Sequence, residues 1–382
     1  MSVTPFPARR PGPPAMRAVD FNVAPFLVIW ETTQACALAC RHCRASAVPW
    51  RDPLELTTEE GKRLIDEVAA MGTPLLIFSG GDPVNRPDLA ELIRHGRSRG
   101  LRTATIPAAT DRLTRELVVE LKDAGCDQMA LSLDFPRAEL HDAFRGVPGA
   151  FEKTMRAAGW AREVGLPLQI NTTVCGDTAP FMEEMAAFVE TLGIVFWEVF
   201  FLVPTGRGSL LKGLGPSDCE RIFELLYRVQ KRGSFVVKVT EAPHYRRHVA
   251  QREGVARAVG GREGVAMPAL LTRSEGPGHT VGLAPRGVNA GNGFLFVSHR
   301  GEIYPSGFLP LSVGNVRQVP IAEAYRGSDL FRRLRNPDLL EGRCGRCEYR
   351  AICGGSRSRA YGLTGDPLET DPWCAYQPRG EA

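Results

Sequence analysis

Phe26-Leu-Val-Ile-Trp-Glu-Thr-Thr-Gln-Ala-Cys36-Ala-Leu-Ala-Cys40-Arg-His-Cys43 decides how the rest of the chain is read. Residues 26–30 are continuously apolar, as a strand covered on both faces should be. Three cysteines follow, separated by three and then two residues. Strand candidates rich in Val, Ile, Leu, Phe and Thr, several of them continuously apolar, recur at 75–78, 101–106, 128–133, 168–174 and 196–203, with helical patterns between them at 57–71, 87–99, 114–124, 150–164 and 180–192. Gly72, Gly100, Gly125, Gly165 and Gly193 follow these helices, at the position where a chain turns left-handed before the next strand. Six β–α units imply a parallel sheet with right-handed crossovers. They are too few to close an eight-stranded barrel, so an α/β fold with an open, partial (β/α)6 barrel is expected.

Beyond a further helix (217–231) and strand (235–240), the character changes. Residues 251–292 are rich in Gly and Arg, and Arg-Glu-Gly-Val-Ala at 252–256 recurs at 262–266. This small duplication reads as a surface loop, or as a lid over the barrel mouth. From Gly293 a hairpin turning at 299–301 leads to further cysteines. The expected units are therefore a flexible tail at 1–23, the barrel at 24–250, a loop or linker at 251–292 and a small C-terminal domain at 293–382.

The chain has 382 residues with 47 Lys and Arg against 43 Asp and Glu, a net charge of +4 without basic blocks, which gives no nucleic-acid footprint but leaves acidic small molecules open as partners. No apolar run reaches the roughly 18–20 residues of a membrane span. The Pro- and Arg-rich N-terminus has no signal-peptide core, so a cytoplasmic protein away from membranes is expected. There its thiols stay reduced. Of ten cysteines, Cys126, Cys175 and Cys219 stand alone, the first two reading as small buried hydrophobes. The other seven cluster, and clustered reduced thiols point to metal.

Cys36, Cys40 and Cys43 can close around one iron–sulfur cube and leave one iron open, as catalytic metal sites do. Zinc would want a fourth ligand, and His42 is badly placed beside Cys43. Cys344, Cys347, Cys353 and Cys374 supply four thiols, enough to fill a second cluster or a zinc site. The seven histidines show no metal spacing and read as surface or local hydrogen-bonding groups. Tyr304, Tyr361 and Trp373 read as packing residues.

The first cysteine group, in its position after strand one, resembles that of the radical S-adenosylmethionine (SAM) superfamily. Ser79-Gly80-Gly81-Asp82-Pro83 resembles the family's GGEP motif, with Asp for Glu, and two glycines ending a strand permit close backbone approach to a ligand. The segment Leu131-Ser132-Leu133-Asp134, with His141-Asp142 and Phe144-Arg145-Gly146, resembles the ribose- and carboxylate-binding segment. The resemblance implies Gly80, Gly81, Asp82 and Pro83 at the SAM methionine, Ser132 at the ribose, Arg145 at the carboxylate and Asn171 as a polar contact. It also implies the chemistry: a reduced 4Fe–4S cluster gives an electron to SAM, and the resulting 5′-deoxyadenosyl radical takes hydrogen from a substrate. A flavodoxin- or ferredoxin-type reductant goes with that.

The second cysteine group resembles a SPASM or twitch domain. Ser306 and Ser356-Arg357 stand where further cysteines are common, so one auxiliary 4Fe–4S cluster is expected rather than two. Across about residues 24–378 the chain is similar to the branch that includes the alternative-haem-pathway decarboxylase and the haem d1 maturation enzyme, on the stretches Leu56-Thr-Thr-Glu-Glu-Gly-Lys-Arg-Leu-Ile65, Pro204-Thr-Gly-Arg-Gly208 and Cys353-Gly-Gly-Ser-Arg-Ser-Arg-Ala-Tyr361. That branch implies a tetrapyrrole propionate as substrate, with Arg207 placed to pair with a carboxylate. Two alternatives stand beside it. One is a maturase cross-linking a ribosomal peptide, which would need a separate leader-recognition protein since few residues precede Phe26. The other is a non-enzymatic iron–sulfur or zinc scaffold.

Overall fold

The computed structural model describes residues 19–233, 235–254, 271 and 287–379. Seven parallel strands follow one another across the sheet: β1 (Leu27–Glu31), β2 (Leu75–Ser79), β3 (Arg102–Thr105), β4 (Gln128–Ser132), β5 (Leu168–Val174), β6 (Phe196–Phe201) and β7 (Val236–Thr240). The crossover helices are α1 (Thr58–Ala70), α2 (Leu89–Ser98), α3 (Arg115–Asp123), α4 (Ala138–Arg145), α5 (Ala150–Val164), α6 (Met182–Glu190) and α7 (Pro216–Arg232). All five glycines expected after helices have positive φ, from 65° to 99°, the left-handed turn that returns each helix to the sheet.

Strand periodicity divides the sheet into two faces. Val28, Trp30, Leu76, Phe78, Leu131 and Ile170 point outward into the core under the helices. Ile29, Ile77, Ala130, Ser132, Asn171 and Glu198, one residue out of step with them, line the interior. The helices thus supply the apolar burial, and the concave face is left for chemistry.

Both edges of the sheet extend past the six expected units. β7 pairs with β6. At the other edge, β8 (Phe294–Val297) lies parallel to β1, opposing Phe294 to Leu27, and β9 (Ile303–Tyr304) returns antiparallel. The expected hairpin is present, but its first strand continues the barrel sheet, so residue 293 marks an entry into that sheet. Helix α8 (His244–Arg252) follows β7, and the C-terminal region adds α9 (Ile321–Gly327), α10 (Asp329–Arg335), α11 (Gly342–Arg346) and α12 (Arg357–Thr364).

Two expectations need correction. The tail does not extend to residue 23: Phe21 is buried beside Phe26, Leu27 and Leu75, and its carbonyl accepts from the Tyr325 hydroxyl at 2.6 Å. Residues 1–18 lie outside the described residues, as does most of 251–292. Helix α4 was also missed. It starts at Ala138 behind an Arg137 N-cap that makes no side-chain capping bond, so it lacks the usual start signal.

Candidate active site

The loop between β1 and α1 presents all three N-terminal cysteines to a cavity of about 390 Å³ on the concave face. Backbone bonds join this loop to the turn after β2: Gly81 N–H donates to Thr33 O at 2.8 Å and Asp82 N–H to Ala35 O at 2.7 Å. Only glycine fits there. A Cβ on Gly80 would lie 2.5 Å from Thr33 O, and one on Gly81 2.5 Å from the carbonyls of Gln34 and Ala35.

Each sulfur meets a donor. Leu38 N–H points at Cys36 Sγ (3.3 Å), Ala47 N–H at Cys43 Sγ (3.4 Å) and Arg145 Nη1 at Cys40 Sγ (3.6 Å). Burial pushes the Cys36 thiol up to about 12, and burial also raises Cys40, against the pull of Arg145. Such thiols stay protonated near neutral pH until a metal draws them into thiolates. Three soft sulfur donors facing a cavity, beside a glycine cradle, fit an iron–sulfur cluster with one iron left for a second ligand.

Gly80, Gly81, Ser132, Arg145 and Asn171 all line the cavity. Asp82 and Pro83 stand behind it. The Asp82 carboxylate accepts from Thr110 Oγ1 (3.0 Å) and Ala108 N–H (3.1 Å), tying the β3 loop to the β2 turn, and burial pushes its pKa up to about 6. Its side chain therefore braces the wall. Arg145 is buried in an ion pair with Asp134, while its Nε has no partner among the described residues. Asn171 belongs to a polar chain on the floor, accepting from Gln169 Nε2 (2.6 Å), which also donates to Glu198 Oε2 (2.7 Å).

Arg207 does not stand where a substrate contact was expected. It lies behind the cysteine loop, its Nε donating to Cys40 O at 2.9 Å, its Nη1 to Ala47 O at 3.4 Å and its backbone N–H to Cys43 O at 3.0 Å. The bends that bring it there depend on Gly206, with φ of 54° and a Cβ position 2.6 Å from Cys43 O. Of the histidines read as surface or local hydrogen-bonding groups, His141 and His244 are buried, and His141 Nδ1 accepts from Asp134 N–H at 3.2 Å, a local bond of the kind expected. Burial pulls both down to about 4, so they are neutral.

Cys344, Cys347, Cys353 and Cys374 surround a second, much smaller cavity of about 20 Å³. Arg357 Nη2 and Asp371 N–H point at Cys344 Sγ (3.5 and 3.4 Å), and Gly355 N–H at Cys353 Sγ (3.4 Å). Burial lifts Cys347 up to about 11 and Cys353 well above its ordinary value. Four thiols with N–H donors aimed at two of them suit a second cluster. Ser306 and Ser356, where additional cysteines were sought, instead donate to the carboxylate of Glu241, as does Ser358.

Sequence reading overlooked Glu241, Lys238 and Arg246, all of which line the large cavity. Glu241 directly follows β7, and its φ of 57°, unusual for a residue with a Cβ, shows only in the structure.

The sequence profile of the radical SAM superfamily matches residues 30–189. The chain is 41% identical over 355 residues to an AdoMet-dependent heme synthase of Methanosarcina barkeri, covering 93% of this chain and 97% of that one. It is 28% identical over 375 residues to a pre-heme d1 synthase of Dinoroseobacter shibae, covering 91% and 85%. SuiB of Streptococcus suis has the same fold, with a TM-score of 0.68 over 93% of this chain and 78% of that one at 16% identity. With a cysteine loop, glycine turn and partial barrel to match, the chain belongs to the radical SAM superfamily of enzymes, which work with a 4Fe–4S cluster and S-adenosylmethionine.

Proposed function

We propose that this enzyme acts on a tetrapyrrole, removing hydrogen from a propionate side chain, as a heme synthase of the AdoMet-dependent kind. The observation that carries this is the 41% identity, over nearly the full length of both chains, to a protein of that name. In this reading Cys36, Cys40 and Cys43 hold the cluster. Gly80 and Gly81 let backbone approach SAM, Ser132 and Asn171 meet it from the floor, Arg145 orients Cys40 and faces the bound cofactor, and Asp82 and Pro83 hold the wall. When bound, the cluster and SAM supply one electron and a carbon-centred radical.

The protein contributes position and exclusion. Leu27, Ile29, Ile77 and Phe296 form an apolar wall on the β1 side of the cavity, and Gln169, Glu198 and Lys238 a polar wall opposite. That division suits a flat apolar macrocycle with acidic arms, and the apolar side keeps water from the radical. Cys344, Cys347, Cys353 and Cys374 hold one auxiliary 4Fe–4S cluster. The barrel spans 24–250, with the segment around Phe21 packed onto it, and the auxiliary-cluster region 293–382, sharing the sheet through β8. A flavodoxin- or ferredoxin-type protein delivers electrons, and the enzyme works in the cytoplasm. Among the described residues no helix is long and apolar enough to cross a membrane.

The test is anaerobic turnover with dithionite, SAM and a porphyrin tetrapropionate, read by mass spectrometry. 5′-Deoxyadenosine and a porphyrin that has lost carboxyl groups are expected. An unchanged porphyrin beside a cross-linked peptide would replace the substrate with that of a maturase.

A further inference from the structure

A substrate with acidic arms needs cations that are not already committed. Among the described residues, five Lys and Arg side chains face the large cavity, and four of them are taken. Arg44 pairs with Glu31, Arg145 with Asp134 and Lys238 with Glu198 at 2.9 Å. Arg357 donates to the carbonyls of Pro367 and Glu369, both at 2.8 Å, and to Cys344 Sγ. Arg246, on the first turn of α8, stands apart. Like Arg357 it forms no ion pair among the described residues, but where Arg357 uses Nε, Nη1 and Nη2 on three carbonyls and a sulfur, Arg246 bonds two carbonyls alone. Its Nη1 donates to Ile352 O at 3.2 Å and its Nη2 to Val288 O.

These two carbonyls come from segments far apart in sequence, and they fix the plane of the guanidinium without neutralising it. Gly287 leaves room for that plane, since a Cβ there would lie 2.5 Å from Nη1. A half-buried cation held rigidly in a cavity wall, without a carboxylate, is costly unless an anion arrives.

Resting on the tetrapyrrole reading, we infer that Arg246 is a specificity-determining residue that receives a carboxylate of the substrate in a forked, charge-assisted hydrogen bond. It takes the place first expected for Arg207. Because its carbonyl partner Ile352 adjoins Cys353, it anchors the substrate at the end of the cavity next to the second cysteine group.

The test uses reconstituted full-length enzyme without oxygen, titrated with coproporphyrin III (a porphyrin tetrapropionate) and with its tetramethyl ester, following the porphyrin absorption band. Wild-type enzyme is expected to prefer the acid. Arg246→Gln should weaken binding of the acid about tenfold to a hundredfold, the range of a charged hydrogen bond, and change binding of the ester by less than about twofold. Arg246→Lys, keeping charge but losing the fork, should fall between. If Arg246→Gln fails to retain iron, the same comparison of ligands is made with Arg246→Lys. A variant that loses equally on acid and ester has only disturbed the wall or the neighbouring cluster, and overturns the assignment of Arg246 alone. A wild-type enzyme that binds neither porphyrin overturns the tetrapyrrole reading and this inference together.

Discussion

Arg207 Nε donates to Cys40 O at 2.9 Å, joining the turn after β6 to the middle of the cysteine loop. A second bond to Ala47 O and a backbone bond to Cys43 O make this a clamp on both sides of the last cysteine. Its planar fork suits carbonyls on two strands of the loop, which an ammonium would reach less well. Arg207→Ala should therefore lower the iron retained after reconstitution toward that of the auxiliary cluster alone, and lower 5′-deoxyadenosine formation in proportion. The fraction that keeps both clusters should bind porphyrin as before. A variant with full iron and a selective loss of porphyrin affinity would return Arg207 to the substrate.

The two cysteine groups should be separable. Cys344→Ser should remove auxiliary iron, yet the reduced first cluster should still change its electron paramagnetic resonance signal when SAM is added, because among the described residues the hydrogen-bond donors to the Cys36, Cys40 and Cys43 sulfurs are Leu38, Arg145 and Ala47, none of them from the second group. Cys40→Ala should abolish both that response and 5′-deoxyadenosine. Unchanged iron in Cys344→Ser would remove the second cluster from this reading.

Gly81→Ala tests the cradle. The added methyl would lie 2.5 Å from two backbone carbonyls of the cysteine loop, which cannot move as a flexible side chain could. Overpacking of this kind costs about 1–3 kcal/mol, and here the cost falls on the cofactor-binding turn. SAM affinity, measured by equilibrium dialysis, should drop at least about tenfold while the melting temperature falls by only a few degrees. Equal SAM binding by the variant would show that the turn yields.

How far the sequence carried the reading depends on how local each signal was. β5 was legible to the residue because 168–174 is rich in β-branched residues, with Leu168, Ile170 and Val174 buried under the helices and Gln169 and Asn171 turned to the cavity. The cysteines and Gly80-Gly81 were legible because one short segment holds each of them. Helix α4 was not, lacking a cap at Arg137. Arg207 and Arg246 were misread or missed for a common reason: what an arginine does depends on which carbonyls or carboxylates reach it. Those partners lie more than 150 residues away for Arg207 and 42 and 106 residues away for Arg246. Asp82 was read by its motif, but its carboxylate serves the β3 loop through Thr110 and Ala108. The pairing of β8 with β1 joins positions 27 and 294, and no pattern within either strand encodes it.

The contact between the barrel and the segment after β9 makes a pH prediction. Glu60, in the first turn of α1, accepts from Arg317 Nε at 2.7 Å and from Thr57 N–H at 2.8 Å. The hydrogen bond from Arg317 is the largest influence holding its carboxyl down at about 2, against an ordinary value of 4.5. A depressed folded-state pKa favours the native state above the unfolded value. That stabilisation is fully present above about pH 4.5 and is lost as pH falls toward 2. Glu60→Gln keeps the capping box, since Gln serves at that position, and removes only the charge. The pair is partly exposed, 35% at Arg317 and 20% at Glu60, so solvent screening limits it to roughly 1 kcal/mol or less. Wild-type protein should melt about 1–3 °C above Glu60→Gln at pH 7, and the gap should close as the two melting curves are followed down through pH 4.5 toward the acid limit. A gap that stays constant with pH would mean that Arg317 holds Glu60 by shape and hydrogen bonding, with the charge contributing nothing.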